Sequence, residues 1–153
     1  MDAKSSNAAA PKGANASRSP ASATADPARR GRRTFPRDAR LLSRREFAHV
    51  YRQGRSVRHP SVVLYHLASA RGPDAATRFG FTVSRRVARR ATARNRIRRV
   101  WREAARLSRP RFRGGLDIVL NARAAAGCDL RTPEAQAILL ELADRQGLLL
   151  PGS

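Results

Sequence analysis

The spacing of apolar residues from Leu41 onward predicts six secondary-structure elements. Helical spacing first appears just after Ser43 and Glu46, which form a capping box, and it ends at Gly54. Short stretches rich in β-branched and aromatic residues then predict strands, and longer stretches with helical spacing predict two more helices. The predicted helices cover residues 44–53, 92–108 and 132–146, and the predicted strands cover residues 62–67, 79–84 and 116–122.

The first two strands are expected to form an antiparallel pair, because Arg71-Gly72-Pro73-Asp74 supplies the chemistry of a turn between them. The second strand alternates, with Phe79, Phe81 and Val83 on one face. The order helix, two strands, helix, strand, helix predicts an α+β sandwich of about 110 residues. At 153 residues the chain is long enough for one such domain and short for two.

The predicted helix over residues 92–108 separates apolar from basic side chains. The wider segment 85–113 contains thirteen arginines and a single acid, Glu103. Arginines at i, i+4 spacing on a helix repel one another by roughly a few tenths of a kcal/mol per pair, so this charge does not stabilise the fold. It indicates a polyanionic partner whose binding outweighs the repulsion. The apolar arc of the helix consists of Ala93, Ile97, Val100, Trp101, Ala104, Ala105 and Leu107.

The net charge of +21 is concentrated in the middle of the chain. Residues 1–39 contribute +5, residues 40–123 contribute +18 and residues 124–153 contribute −2. Thirty of the thirty-two basic residues are Arg, whose planar guanidinium suits bidentate contact with phosphate and stacking on bases. A GC-rich genome would also favour Arg codons. The charge points to nucleic acid first and to an anionic membrane surface second.

The composition also bears on location and on domain boundaries. A single cysteine, Cys128, excludes a disulfide framework and fits a reducing cytoplasm. The longest apolar runs are far shorter than the roughly 20 residues of a membrane span. Residues 1–36 are rich in Ala, Ser, Pro and Arg, and we expect a disordered basic tail there, ahead of a domain over residues 37–150. The tail either adds nonspecific attraction to a polyanion or is a solvated linker.

Catalytic and metal-binding motifs are missing from the sequence. The three histidines lack metal-ligand spacing, there is no Gly-rich phosphate loop, and four acids lie between residues 40 and 123. These absences argue against a stand-alone nuclease, so we expect no catalytic and no metal-binding residues in the protein. Binding candidates remain, because Phe47, Tyr51 and Tyr65 are each either a stacking surface for unpaired bases or a buried core residue.

A run of motifs between Phe79 and Arg106 matches the pattern of a known family. The predicted strand over residues 79–84 is followed by the basic pair Arg85-Arg86 and, eight residues on, by Arg94-Asn95-Arg96 and the start of the apolar arc. This arrangement resembles the bacterial ribonuclease P protein component. The resemblance extends, in order and spacing, over about residues 39–147 and includes Arg40-Leu41, the segment 46–54, Val63-Leu64-Tyr65, Asp117-Ile118-Val119 and Ala122-Arg123.

The resemblance implies a small two-layer α+β sandwich of the ribosomal protein S5 domain 2-like type. Its central sheet would be mostly antiparallel, with a left-handed βαβ crossover through the arginine-rich helix. It also implies the accessory subunit of a ribonucleoprotein endoribonuclease, in which RNA and its Mg²⁺ ions remove the 5′ leader of precursor tRNA and the protein binds no cofactor. The implied partners are the ribonuclease P RNA subunit, with one protein monomer per RNA, and precursor tRNA, without a membrane.

Site residues follow from the resemblance by position. The leader-binding cleft would contain Phe47, Tyr51 and Tyr65. The RNA-binding residues would be Arg85, Arg86, Arg94, Asn95, Arg96, Arg98, Arg99, Arg102 and Arg106. The chain departs from the usual family pattern in having Ala88 where Gly is common, Thr92 where Val is common, and Tyr51 where Phe is frequent.

Two other binding functions are compatible with the charge. One is a basic RNA-binding protein without a nuclease role, such as a ribosomal protein or an assembly factor. Composition alone does not distinguish such a protein from a member of the ribonuclease P protein family. The other is a sequence-specific DNA binder that inserts the basic helix in a major groove. That function requires a short helix immediately before the basic helix, where residues 79–84 predict a strand.

Overall fold

A computed structural model of the protein describes residues 34–126 and 129–152. Residues 1–33, which make up almost all of the predicted tail, and Cys128 lie outside the described residues. The α-helices of the described part are α1 (Arg44–Gln53), α2 (Ala91–Ser108) and α3 (Thr132–Arg145), and its strands are β1 (Arg55–Arg58), β2 (Val62–Ala68), β3 (Arg78–Val83) and β4 (Leu116–Ala122). All six predicted elements are present, and β1 is an additional short strand.

The strands form one four-stranded sheet in the order β1-β2-β4-β3. β1 and β4 both pair antiparallel with β2, and β3 pairs parallel with β4. The mostly antiparallel sheet and the βαβ crossover from β3 through α2 to β4 are therefore confirmed. The predicted antiparallel pairing of the strands now labelled β2 and β3 is wrong, because β4 lies between them.

The central position of β4 follows from its composition. All but one of its seven residues are buried, so other elements must pack against both faces of the strand. The connection from β2 to β3 passes the start of this strand: Ser69 donates its backbone N–H to the Gly115 carbonyl (2.8 Å), and Gly115 donates to the Ala75 carbonyl (2.7 Å). Turn residues in this connection suggested a hairpin, but turn chemistry does not determine which strand becomes the neighbour.

The two faces of the sheet carry different helices. On one face Leu64 and Leu120 pack in the main core with residues of α2 and α3. On the opposite face Tyr65 and Val119, the adjacent residues of the same strands, pack in a second cluster with Val50 of α1. The sheet and the pair α2 and α3 form the two layers of the sandwich, and α1 packs on the opposite face of the sheet.

α2 is anchored by its apolar arc. Ile97, Trp101 and Ala104 are buried, as predicted. Leu107 is 42% exposed, so its predicted place in the arc is wrong. Ser108 is buried instead, because it continues the row of Ile97, Trp101 and Ala104 at spacings of three and four residues.

The folded domain begins earlier than predicted. Phe35, which was expected in the tail, is buried, and its ring meets those of Phe79 and Phe81 edge to face at centroid distances of 5.9 and 6.0 Å. Residues 34–36 therefore belong to the domain. Composition placed the boundary after this residue because a single aromatic in a polar segment produces no periodic pattern.

Candidate nucleic-acid interface

α1 forms one wall of an open cleft on the sheet, and a capping box fixes its N-terminus. The Glu46 backbone N–H donates to the Ser43 hydroxyl (3.2 Å), and the Ser43 backbone N–H donates to the Glu46 carboxylate (3.0 Å). The predicted capping box is thereby confirmed. The bond from the Ser43 backbone is the largest cause that lowers the pKa of Glu46 from 4.5 to about 2, so the carboxylate stays ionised near neutral pH.

Phe47 lies where α1 comes closest to the sheet. A Cβ atom added to Gly80 of β3 would lie 2.5 Å from the nearest Phe47 ring carbon, so only glycine leaves room for the ring. Phe47 is partly buried and packs against the cluster that contains Leu41 and Val119. It therefore packs between α1 and the sheet and is neither fully in the core nor fully exposed.

Two tyrosines line the more open part of the cleft. The ring of Tyr51 meets the ring of Tyr65 edge to face, with 4.8 Å between centroids. Burial is the largest cause that raises the pKa of Tyr51, so the phenol is neutral near pH 7. Tyr51 is 36% exposed and Tyr65 is partly buried, so both residues keep accessible surface. The structure thus brings the predicted cleft residues together.

The floor of the cleft is a row of side chains across the sheet. The strand register pairs Arg58 with Val63, Val63 with Asn121, and Asn121 with Thr82. Because side chains alternate between faces along a strand, this row lies on the same face as Tyr65. The row offers the hydrogen-bonding group of Arg58 on one side of the apolar Val63 and those of Asn121 and Thr82 on the other side.

A groove with a volume of about 460 Å³ continues from this floor. Arg58, Arg86 and Arg123 line it together with Tyr65 and Asn121, and none of its lining residues is acidic. Arg86 was a predicted site residue, whereas Arg58 and Arg123 were not assigned. Arg123 belongs to the Ala122-Arg123 motif and was detectable from it. Arg58 carries no sequence signal, because only the pairing of β1 with β2 brings it to the groove.

The basic side of α2 presents a second surface. Burial is the largest cause that lowers the pKa of Arg102, and the charges of Arg40, Arg98 and Arg99 follow, so each of these three guanidinium groups lies close enough to Arg102 to repel it. Arg98 also donates to the side-chain oxygen of Asn95 (3.2 Å). Arg40 was not assigned from the sequence, because it lies before α1. The arginine surface is defined here as Arg40, Asn95, Arg96, Arg98, Arg99 and Arg102.

Besides Arg98, two more arginines predicted to bind RNA are bonded within the protein. Arg94 Nη1 donates to the backbone carbonyls of Ala88 (3.1 Å) and Arg89 (2.6 Å), and so closes the turn between β3 and α2. Arg106 donates to both carboxylate oxygens of Glu103, at 2.8 and 2.5 Å. Their contacts with RNA stay predictions, and the structure gives each residue an additional role.

The cleft and the arginine surface meet at one end of the sheet. β3 ends at Val83, the exposed Arg85 and Arg86 follow, and α2 begins at Ala91. Arg86 also lines the groove that contains Tyr65, so the turn between β3 and α2 joins the two surfaces. Residues 84–90 form no helix, and a DNA-binding helix-turn-helix is therefore not supported.

Two findings concern metals and membranes. Within residues 34–126 and 129–152, no group of three or more His, Cys, Asp or Glu side chains is arranged to hold a metal ion. In that part of the chain no helix is long and apolar enough to cross a membrane.

Comparisons with known proteins agree on one family. Residues 35–145 match the family model described as Ribonuclease P. The chain is 44% identical over 110 residues to the ribonuclease P protein component of Symbiobacterium thermophilum, covering 72% of this chain and 92% of that protein. It is 38% identical over 117 residues to that of Xanthomonas oryzae pv. oryzae, covering 76% and 77%.

Solved structures with this fold include two bacterial RNase P proteins. The Staphylococcus aureus protein superposes with a TM-score of 0.62 at 25% identity, covering 73% of this chain and 98% of that chain. The Thermotoga maritima protein superposes with a TM-score of 0.60 at 28% identity, covering 69% and 96%.

Proposed function

This chain belongs to the ribonuclease P protein family, and we propose that its arginine surface holds the catalytic RNA subunit while its cleft holds the 5′ leader of precursor tRNA. Membership of the family makes the protein the accessory subunit of an endoribonuclease that removes the leader and leaves the mature 5′ end of tRNA. The family predicted from the sequence is confirmed by the match over residues 35–145 and by relatives that the chain covers over most of their length.

The observation that carries this division of roles is the meeting of two chemically different surfaces at one end of the sheet. The cleft combines the rings of Tyr51 and Tyr65 with cations around the adjoining groove. Unpaired bases need ring surface, whereas a folded RNA presents mainly phosphate and sugar. The cleft therefore suits a single strand, and the arginine surface suits a structured RNA.

Within the cleft we assign bases to the tyrosines and phosphates to the arginines. A base stacked on an accessible ring contributes about 1–3 kcal/mol, whichever base it is. Arg58, Arg86 and Arg123 surround the groove and are placed to neutralise the leader backbone. Neither interaction reads base identity, so leaders of different sequence are expected to bind.

Cleavage of the phosphodiester bond is assigned to the RNA subunit and its magnesium ions. Two carboxylates near the cleft, those of Glu46 and Asp117, are both bonded to Arg78. A guanidinium shared between two carboxylates competes with a metal ion for their oxygens, which supports this assignment. The role proposed for the protein is to bind and orient the two RNAs, as one monomer per RNA subunit in the cytoplasm.

Reconstitution tests the proposal. The protein would be combined with a bacterial ribonuclease P RNA at low magnesium concentration, and release of the leader from precursor tRNA would be measured. We expect a faster reaction with protein, because its cations reduce the repulsion between two RNAs that magnesium otherwise screens. An unchanged rate, together with equally tight binding to unrelated structured RNA, would identify a general RNA-binding protein and refute the proposal.

A further inference from the structure

Arg78 of β3 joins three parts of the domain. Its Nε and Nη2 atoms donate to the two carboxylate oxygens of Asp117 on β4, both at 2.8 Å, and its Nη1 atom donates to Glu46 on α1 at 2.5 Å. The side chain of Arg78 is 14% exposed and that of Asp117 is 8% exposed. The guanidinium therefore extends a shielded ion pair of the sheet to the helix above it.

Glu46 uses its two carboxylate oxygens for different purposes. Oε2 accepts the backbone N–H groups of Leu42 (3.1 Å) and Ser43 (3.0 Å), which caps α1. Oε1 accepts from Arg78. The cap and the link to the sheet are thus separable, and the guanidinium can be removed without removing an acceptor of the helix cap.

Arg78 also begins the row of β3 residues that meets α1. At every second position along the strand, Gly80 receives the ring of Phe47 and Thr82 lies in hydrogen-bonding distance of Tyr51. The contact at Gly80 is steric, and the contact at Thr82 is one neutral hydrogen bond. Arg78 supplies charge-assisted bonds from a rigid planar group, so its contact has the most defined geometry of the three.

A cavity of about 390 Å³ lies beside this link, lined by Glu46, His49, Arg78 and Asp117 among others. Packed side chains do not fill this space, so on this side of α1 the guanidinium of Arg78 connects the helix to β4, whereas Val50 and Val119 pack together further along the helix. Without that link, the first turn of α1 loses its polar contact with the sheet.

We propose that Arg78 is a positioning residue for the leader: it fixes α1 over β3 and β4 and thereby sets the spacing of Tyr51 and Tyr65. This inference rests on the proposed function of the cleft. Arg78 itself need not touch RNA. Its effect on the substrate is expected to pass entirely through the position of the helix.

Two substitutions test the inference. Arg78→Lys keeps the charge without the planar fork, and Arg78→Gln removes both. Holoenzyme reconstituted with each variant would be titrated with precursor tRNA and with mature tRNA. For Arg78→Gln we expect the ratio of the two affinities to fall about tenfold, equivalent to the loss of about one stacked base, with a smaller fall for Arg78→Lys. Affinity for mature tRNA and for the RNA subunit should stay close to that of the unmodified protein.

Ser43→Ala is the matched control. It removes the hydroxyl acceptor at the same end of α1 and leaves the bonds of Arg78 intact. If Ser43→Ala and Arg78→Gln lower the melting temperature similarly but only the second loses leader discrimination, a positioning role is supported. Equal losses of discrimination, or an unchanged ratio in Arg78→Gln, would overturn it.

Two further outcomes are distinguishable. If Arg78→Gln does not fold, Arg78→Lys and Glu46→Gln provide the same comparison, because an amide oxygen in place of Glu46 Oε2 still accepts the capping N–H groups. If the unmodified holoenzyme binds precursor and mature tRNA equally, the proposed function of the cleft is refuted, and this inference falls with it.

Discussion

The hydroxyl of Tyr51 lies 2.9 Å from the hydroxyl of Thr82, so a hydrogen bond joins α1 to β3 beside the cleft. The ring of the same tyrosine faces the cleft and meets the ring of Tyr65. Ring and hydroxyl therefore have different roles: the ring offers surface to a base, and the hydroxyl helps to hold the helix.

Substitution of Tyr51 separates these roles. Tyr51→Phe removes one hydrogen bond, which is worth about 0.5–1.5 kcal/mol of stability, but keeps the ring. We expect a slightly lower free energy of unfolding and leader affinity close to that of the unmodified protein, whereas Tyr51→Ala should weaken leader binding clearly. Denaturation by urea and titration with precursor tRNA measure the two effects. If Phe impairs leader binding as much as Ala does, the ring is not the binding element.

Tyr65 tests leader specificity directly. Tyr65→Ala removes one stacking surface and should weaken binding of precursor tRNA by about 1–3 kcal/mol. Mature tRNA has no leader to stack, so its affinity should change little. Titration of the reconstituted holoenzyme with both RNAs gives the comparison. Equal losses for the two RNAs would refute a leader-stacking role for this residue.

The arginine surface predicts a salt dependence. Arg98→Ala and Arg102→Ala should each weaken binding to the RNA subunit and flatten the plot of log K against log salt concentration, by roughly 0.7–0.9 for each phosphate that is no longer neutralised. Arg145→Ala is the control, because Arg145 lies on α3 and pairs with Glu141. Arg94→Ala should mainly lower the melting temperature, because it removes two bonds to backbone carbonyls. Unchanged slopes for Arg98 and Arg102 would show that these side chains do not bind phosphate.

Substitution of Glu103 is expected to raise the affinity of the protein for RNA. It is the single acid among residues 85–113, and its carboxylate is bonded to Arg106. Glu103→Gln removes a negative charge beside the arginine surface and releases Arg106, so RNA affinity should rise and the salt dependence should steepen. Glu141→Gln breaks a comparable ion pair on α3 and is the control. Equal effects of the two substitutions would mean that total charge, not its position, controls binding.

Local sequence patterns predicted the elements but not every neighbour in the sheet. The capping box at Ser43 lies within α1, and the buried row of Ile97 and Trp101 lies within α2. Each depends only on residues close together in sequence, and both were correctly predicted. β2 pairs with β4, the strand that is buried on both faces, and β4 is the last strand of the described residues. Turn chemistry next to β2 therefore predicted the wrong neighbour.

The residues of the site were likewise predicted where a local motif contains them and missed where their role depends on distant contacts. Phe47, Tyr51 and Tyr65 were identified through the positions of a family motif, and the structure brings them to one cleft. Arg58 and Arg78 were not identified, because their roles arise from strand register and from contacts between elements distant in sequence. Such contacts produce no periodic pattern along the chain.

Acid titration tests the contacts of the Glu46 carboxylate with the helix cap and with Arg78. The pKa of Glu46 is about 2 in the folded protein and 4.5 without these contacts. Because the folded value is the lower one, ionised Glu46 stabilises the fold above pH 4.5, and this stabilisation is lost as the pH falls towards 2. The melting temperature of Glu46→Gln should therefore lie furthest below that of the unmodified protein near neutral pH, and the two should converge between about pH 4.5 and 2. Ser43→Ala keeps Glu46 and removes only the weakest of the bonds that lower its pKa, so its difference from the unmodified protein should change much less over this range. A Glu46→Gln difference that stays constant or widens in acid would show that the carboxylate is not held in its ionised form by the cap and Arg78.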